Sequence, residues 1–369
     1  MNVLICPDKF KGTLTAEAVA EAIAAGWKLA RPKDRLTLLP VSDGGDGFGA
    51  IMARMLKARA VTLKTVNAAH QPIDASWWWE SKTRLAIIES AAINGLAMLP
   101  KGKFHPLDLN SYGLGAALRA AAAKGARKAL IGIGGSATND AGFGLARALG
   151  WKFVDPDGNE IIEWLKLSAL TKVVPPKRQR IISSITVAVD VNNPLLGAKG
   201  CSRVYGPQKG LKLADMKPAE TALRRLAFVL KKQLGLGDVN EPGVGAAGGL
   251  GFGLRVFSGA TLKPGFDLVA RQAGLLKLIR QSDLVITGEG ALDRQTLMGK
   301  GTGEIALLCR KATVPCIGLA GMVEDKAKSS RLFTGTGALL DLTNEKNAMK
   351  DSAKWLARLA ANVARTLAD

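Results

Sequence analysis

A chain of 369 residues with 47% hydrophobic and 22% charged residues has room for two domains and an ample core, which excludes disordered and fibrous classes. Its formal net charge of +20 suits anionic ligands, but Lys and Arg are spread along the chain without zinc-finger spacing or an aromatic RNA-binding signature, so no nucleic-acid partner is expected. No apolar run reaches membrane-spanning length, MNVLICPDKF lacks a signal-peptide pattern, and Cys6, Cys201, Cys309 and Cys316 form no CxxC pair. A cytoplasmic protein with reduced thiols and no membrane association is the expectation.

Apolar runs that stop at glycine or acidic loops, each followed by helical spacing, occur at Asn2–Cys6, Leu36–Val41, Lys128–Ile133, Asp283–Thr287, Val314–Leu319 and Ala338–Leu342. Repeated strand–loop–helix units predict a parallel sheet covered by helices, with functional groups gathered past the carboxyl ends of the strands. Asp8, Asp43, Ser136, Glu289 and Gly321 fall at such ends. Alternating, aromatic segments between Arg59 and Leu107 predict antiparallel strands. Trp151 to about Ala260 is mixed, with a turn at Asp155–Gly158, a strand at Ile185–Val191 and the run GVGAAGGLGFGL. Two insertions into one α/β domain follow: 1–58, 108–150 and 261–369 form the first domain, 59–107 and 151–260 the second, with a cleft between them. Lys354–Leu367 reads as an amphipathic helix.

The densest motif is KALIGIGGSATNDAGFGLARALG, from Lys128 to Gly150. A buried strand stops at Gly134 and Gly135, and a helix is predicted whose first turn carries Ser136, Thr138, Asn139 and Asp140. Free N–H groups and a helix dipole at that point would receive a phosphate or carboxylate near Ser136. Gly132, Gly134 and Ala137 also fit G-x-G-x-x-A, with Asp155 or Asp157 at ribose-acid spacing, so a dinucleotide-dependent dehydrogenase is an alternative. No Walker-type loop and no H-R-D or D-F-G set is present. His70 and His105 sit in no metal-binding pattern, and no G-x-S-x-G elbow supports a serine hydrolase. Glycine loops at Gly44–Gly45, Gly134–Gly135, Gly248–Gly249 and Gly288–Gly290 would have to supply backbone donors. Carboxylates beside glycine, namely Asp43, Asp46, Asp190, Glu289 and Asp293, either cap helices or converge with Lys11, Lys209 or Lys300. Carboxylates, lysines and anion-binding turns are the components of phosphoryl transfer.

Together, CPDKFKGTL, PVSDGGDG, NSYGLG, GIGGSATNDAG, DVNNPLLG, YGPQKG, GAAGGLGFGL and DLVITGEGALDRQTLMGK resemble the type 1 glycerate kinase family, in family order and over nearly the whole chain. That resemblance implies a Rossmann- or flavodoxin-like domain carrying an inserted α/β domain, and ATP-dependent phosphorylation of D-glycerate with Mg²⁺, to 2- or 3-phosphoglycerate, by a monomer or homodimer. Lys9 stands where the family pattern has serine, Phe48 where it has threonine and Ala291 where it has arginine, which bears on substrate contacts. On this resemblance Asp190, then Asp293, is the expected general base, and Lys11 neutralises the glycerate carboxylate or the transferred phosphoryl group. Asp8, Asp43, Ser90 and Asn193 are assigned to substrate. Gly134, Gly135, Ser136, Asn139, Gly288, Glu289, Gly290 and Lys300 are assigned to ATP, and Glu289 and Asp43 to the metal.

Overall fold

A computed structural model describes residues 1–297 and 301–367. In chain order the strands are β1 (Asn2–Ile5), β2 (Arg35–Leu38), β3 (Arg59–Val66), β4 (Pro72–Glu80), β5 (Leu85–Glu89), β6 (Lys128–Gly132), β7 (Lys152–Val154), β8 (Lys172–Val174), β9 (Ser184–Val189), β10 (Thr261–Pro264), β11 (Leu284–Leu292), β12 (Cys316–Val323) and β13 (Gly335–Ala338). Among the described residues no helix is long and apolar enough to cross a membrane, and all four cysteines are buried and free. The chain divides into two compact units: Met1–Asp43 with Phe266–Asp369, and Gly44–Gly265.

The first unit is built on a five-stranded sheet in the order β2-β1-β11-β12-β13, with every pair parallel. Counted within the unit this is 2-1-3-4-5, the doubly wound order whose winding reverses between β1 and β11. Short, continuous apolar strands such as Val3–Ile5 suit a sheet buried on both faces. Helix Ala16–Ala30 begins at Thr15, whose hydroxyl accepts the Ala18 N–H, and buries Val19, Ile23 and Trp27. These side chains share one core with Leu356, Leu359 and Ala360 of helix Ser352–Thr366 and with Ile5, Ile286 and Leu319 of the sheet.

The second unit carries a six-stranded sheet in the order β10-β9-β6-β5-β4-β3 and a separate β7–β8 hairpin. From β10 to β5 the pairs are parallel, while β4 runs antiparallel to both β5 and β3. The antiparallel pairing matches the alternation read between Arg59 and Leu107. Residues 108–150, expected to lie with the chain ends, instead contribute β6 to this sheet, between β5 and β9. A continuous apolar run such as Ala129–Ile131 suits any parallel sheet, so its pattern carries no information about which sheet it joins.

Candidate active site

Within the first unit, the loop after β1 meets the distal part of β11 at the point where the winding reverses. The Asp8 N–H donates to the Gly288 carbonyl at 2.8 Å. Open α/β sheets bind ligands outside the strand ends at this reversal. Asp8 is partly buried, and its carboxyl is pushed up to about 7. Burial is the first cause, followed by the like charge of Asp43; the Lys9 ammonium and the Lys9 N–H oppose it, and Glu289 adds to it. Lys9 Nζ lies 4.0 Å from Asp43 Oδ1, which places a cation among these acids.

Glu289 Oε1 accepts the hydroxyls of Thr296, at 2.8 Å, and Thr302. Burial raises the Glu289 pKa, the two threonines lower it, and Asp293 and Asp43 raise it further. The expected turn at Gly288–Gly290 is not a turn. These residues continue β11 in register with Leu319 and Ala320 of β12, so their backbone serves a parallel ladder. Gly288 is required by close approach, because a Cβ there would lie 2.1 Å from the Leu319 carbonyl oxygen. Asp293 Oδ1 accepts the Thr296 N–H at 3.2 Å, at the start of the short helix Arg294–Leu297. Lys11 is exposed, and Lys300 lies outside the described residues.

In the second unit, Gly134–Asp140 forms an irregular loop, and helix Phe143–Ala148 begins only after left-handed Ala141 and Gly142. Ser136 is therefore not at a helix N-terminus. The Asp140 carboxylate delays the helix: it accepts the N–H groups of Ser111, Gly142 and Gly144 and the Ser111 hydroxyl. Several loop amides are already committed. Gly134 donates to the Gly44 carbonyl, Ala137 to that of Asn94 and Ala141 to that of Gly248, and Thr138 donates to Ser136 Oγ at 3.2 Å. Among the described residues the N–H groups of Gly135 and Ser136 have no such internal acceptor. Asp155 accepts the N–H groups of Asp157 and Asn159 within the β7–β8 turn, which accounts for it without a ribose.

The other expected residues occupy the same unit. Ser90 is fully buried at the end of β5, and its N–H donates to the Gly132 carbonyl while its Oγ has no hydrogen bond. Asn94, one helical turn on, is likewise fully buried with neither end of its amide bonded. Asn139 gives its Nδ2 to Ser202 Oγ at 2.8 Å and keeps an unsatisfied Oδ1. Asp190, after β9, accepts the Gly265 N–H at 3.1 Å. Asn193 is consumed in shaping its loop, donating to the Lys199 carbonyl and accepting from the Tyr205 hydroxyl.

Of three supporting residues, Glu89 went unnoticed in the sequence, Asp140 was read only as part of the turn after Gly135, and Lys209 was one of three candidate lysines without an assigned role. Glu89 takes the N–H groups of Gly47 and Gly49 at 2.9 Å each, anchoring the loop that carries Asp46. Lys209 is buried and donates to the Thr138 carbonyl at 2.6 Å. Their signal was adjacency to the glycine motifs: NDAG for Asp140 and QKG for Lys209. No group of three or more His, Cys, Asp or Glu side chains preassembled to hold a metal occurs among the described residues.

A two-unit α/β protein with a parallel doubly wound sheet, acids at its reversal point and a glycine loop in its second sheet fits a small-molecule transferase class. The chain belongs to the glycerate kinase family, whose sequence profile spans residues 3–368. It is 35% identical to a glycerate 2-kinase from Escherichia coli over all of this chain and 98% of that one. A glycerate kinase from Bacillus subtilis is 34% identical, again over all of this chain and 98% of the relative. The crystal structure of a candidate glycerate kinase 2 from Salmonella typhimurium LT2 superposes with a TM-score of 0.81 at 34% identity, covering 99% of this chain and 98% of that one.

Proposed function

We propose that this chain transfers the γ-phosphoryl group of ATP to a hydroxyl of D-glycerate, giving 2-phosphoglycerate, with 3-phosphoglycerate as the alternative product. The crowding of Asp8, Asp43 and Glu289 at the sheet reversal supports this above all. Burial and the like charges of Asp43 and Glu289 raise the Asp8 pKa, and burial with the charges of Asp293 and Asp43 raises that of Glu289, so the site is short of positive charge, which a metal–nucleotide complex would supply. Magnesium fits the donors present, since it is held by one or two carboxylates and keeps waters and phosphate oxygens for its other positions. Asp43 and Glu289 would hold it, and its chemistry there is neutralisation of phosphate charge.

The chain's own residues then carry binding and proton transfer. Gly135 and Ser136 offer backbone N–H groups to an anionic oxygen. Lys11, exposed on the loop after β1, is able to reach the glycerate carboxylate or the transferred group. Asp190 accepts the proton of the attacking hydroxyl as its oxygen bonds to phosphorus and ADP leaves, with Asp293 second in line. Ser90 and Asn139, buried with unsatisfied polar atoms, suit the hydroxyls of a polar ligand. A coupled assay of ADP release across glycerate, other small hydroxy acids and short sugars tests the reading, which predicts release that requires glycerate. Release without it, or reduction of a nicotinamide instead, would overturn the assignment. Phosphorus NMR of the product separates the two positions.

A further inference from the structure

Lys209 ends helix Cys201–Lys209, and only 8% of it is exposed. Its Nζ donates to the Thr138 carbonyl at 2.6 Å. The backbone opposite is shaped around it. Ala247, Gly248 and Gly249 are all left-handed, and a Cβ on Gly248 would lie 2.0 Å from the Thr138 oxygen and 2.9 Å from Nζ. Among the described residues no carboxylate lies within ion-pair distance of this ammonium. The negative group it feels, Asp140, is already held by Ser111, Gly142 and Gly144. A buried cation with one neutral acceptor is costly unless an anion completes it. The segment it grips, Gly135–Asn139, is the one with uncommitted N–H groups.

We infer that Lys209 is the positioning cation of this loop, fixing Thr138 and lending the loop a positive charge that a bound anion completes. This rests on the kinase reading for the identity of the anion, which is ATP or glycerate. Burial lowers the Lys209 pKa to about 8, against the raising influence of Cys201 and Asp140. An anion on the loop therefore draws a proton onto Lys209 when it binds above that pH. The titratable groups that act on it are Cys201 from its own helix and Asp140 from the loop; Tyr205 and Glu220 interact with Cys201, and Glu220 pairs with Arg224. Burial pushes Cys201 to about 11 and Tyr205 to about 12, both above the window. Asp8, at about 7, lies below it.

Calorimetry tests this with ATP–Mg²⁺ alone and with D-glycerate alone, so that no turnover occurs, in two buffers of different ionisation heat. One of the two ligands should take up about half a proton at pH 8, more at pH 9 and almost none at pH 6.5. Lys209→Arg, whose charge is permanent, should keep most of the affinity and lose the uptake. Lys209→Met should lose both, weakening that ligand by about tenfold. A lysine that merely supported the fold would leave proton uptake at zero in the unmutated protein, a measurement that needs no variant to fold. Zero uptake for both ligands, or uptake that persists in Lys209→Met, overturns the inference. ADP release measured in parallel keeps the two readings apart: intact turnover without uptake refutes the role of Lys209 alone, and uptake without glycerate-dependent turnover refutes the kinase reading alone.

Discussion

In the first unit burial and neighbouring like charges raise the pKa values of Asp8 and Glu289, whereas in the second burial lowers the pKa of the Lys209 ammonium, whose hydrogen-bond partner is the Thr138 carbonyl. The first arrangement has too little positive charge and the second too little negative charge. Hydrogen bonds hold each in the folded chain: Thr296 and Thr302 on Glu289, and the Thr138 carbonyl on Lys209. The contrast teaches that two glycine-bordered motifs that look alike in the sequence can hold opposite electrostatic environments, one set by buried acids and the other by a buried lysine.

Asp190 is the carboxylate that crosses this contrast, since it lies in the second unit with its Oδ1 on the Gly265 N–H. If it is the general base, Asp190→Asn should lower kcat by about 10² to 10⁴ while leaving the KM values within a few-fold. Turnover near that of the unmutated protein would remove it from the mechanism and move the role to Asp293. The next effect tests the acid side. Glu289→Gln should weaken activation by Mg²⁺ by about 10- to 100-fold and bring the Asp8 pKa down towards its ordinary value, because one like charge is gone. A Mg²⁺ titration of ADP release reads the first, and the acid limb of the rate profile reads the second. An unchanged titration would mean that Glu289 only anchors Thr296 and Thr302.

The sheet of the first unit was legible in the sequence because its strands are short apolar runs ending in glycine or acid, a pattern that a doubly wound parallel sheet imposes. Asp8 was legible for the same reason, since it follows β1, whereas Glu289, read as lying past a strand end, sits within β11. The loop at Gly134 was legible as a break but not as a shape. Asp140 satisfies the start of the following helix from its side chain, which pushes that helix beyond Gly142, and no spacing rule reports such a hydrogen bond. Gly288 and Gly290 misled in the opposite sense. Glycines that admit a neighbouring strand and glycines that make a turn look alike in one dimension. Lys209 stayed among several candidates because burial of a lysine depends on α-helical and loop elements far apart in the chain.

Lys9 gives a smaller effect that sharpens the acid side. Its ammonium faces Asp43 and holds the Asp8 pKa down. Lys9→Ser, which removes the cation, should tighten Mg²⁺ activation by about two- to fivefold, in line with a partly exposed ion pair. The same change should move the acid limb to higher pH, since activity that needs ionised Asp8 rises as pH climbs through its pKa and that pKa would now be higher. A limb that moves to lower pH would show that Lys9 acts on the substrate instead.

The smallest effect comes from a carboxylate of the same unit with the opposite behaviour. Asp34 is buried, which by itself would raise its pKa, but it accepts hydrogen bonds from the Trp27 indole, the Met1 amino group and Arg31 Nε, and the net shift is downward. A carboxyl depressed in the folded state contributes stability that is present above its unfolded pKa and is lost as pH falls through the folded one. Asp34→Asn should therefore lower Tm by about 2 to 5 °C at neutral pH and by progressively less as pH falls below the ordinary carboxylate range. Thermal melts of both proteins from pH 7 to pH 3 check this. A constant difference across that range would assign the effect to packing around Trp27, and leave Asp8 and Asp34 differing in burial alone rather than in the number of donors each is given.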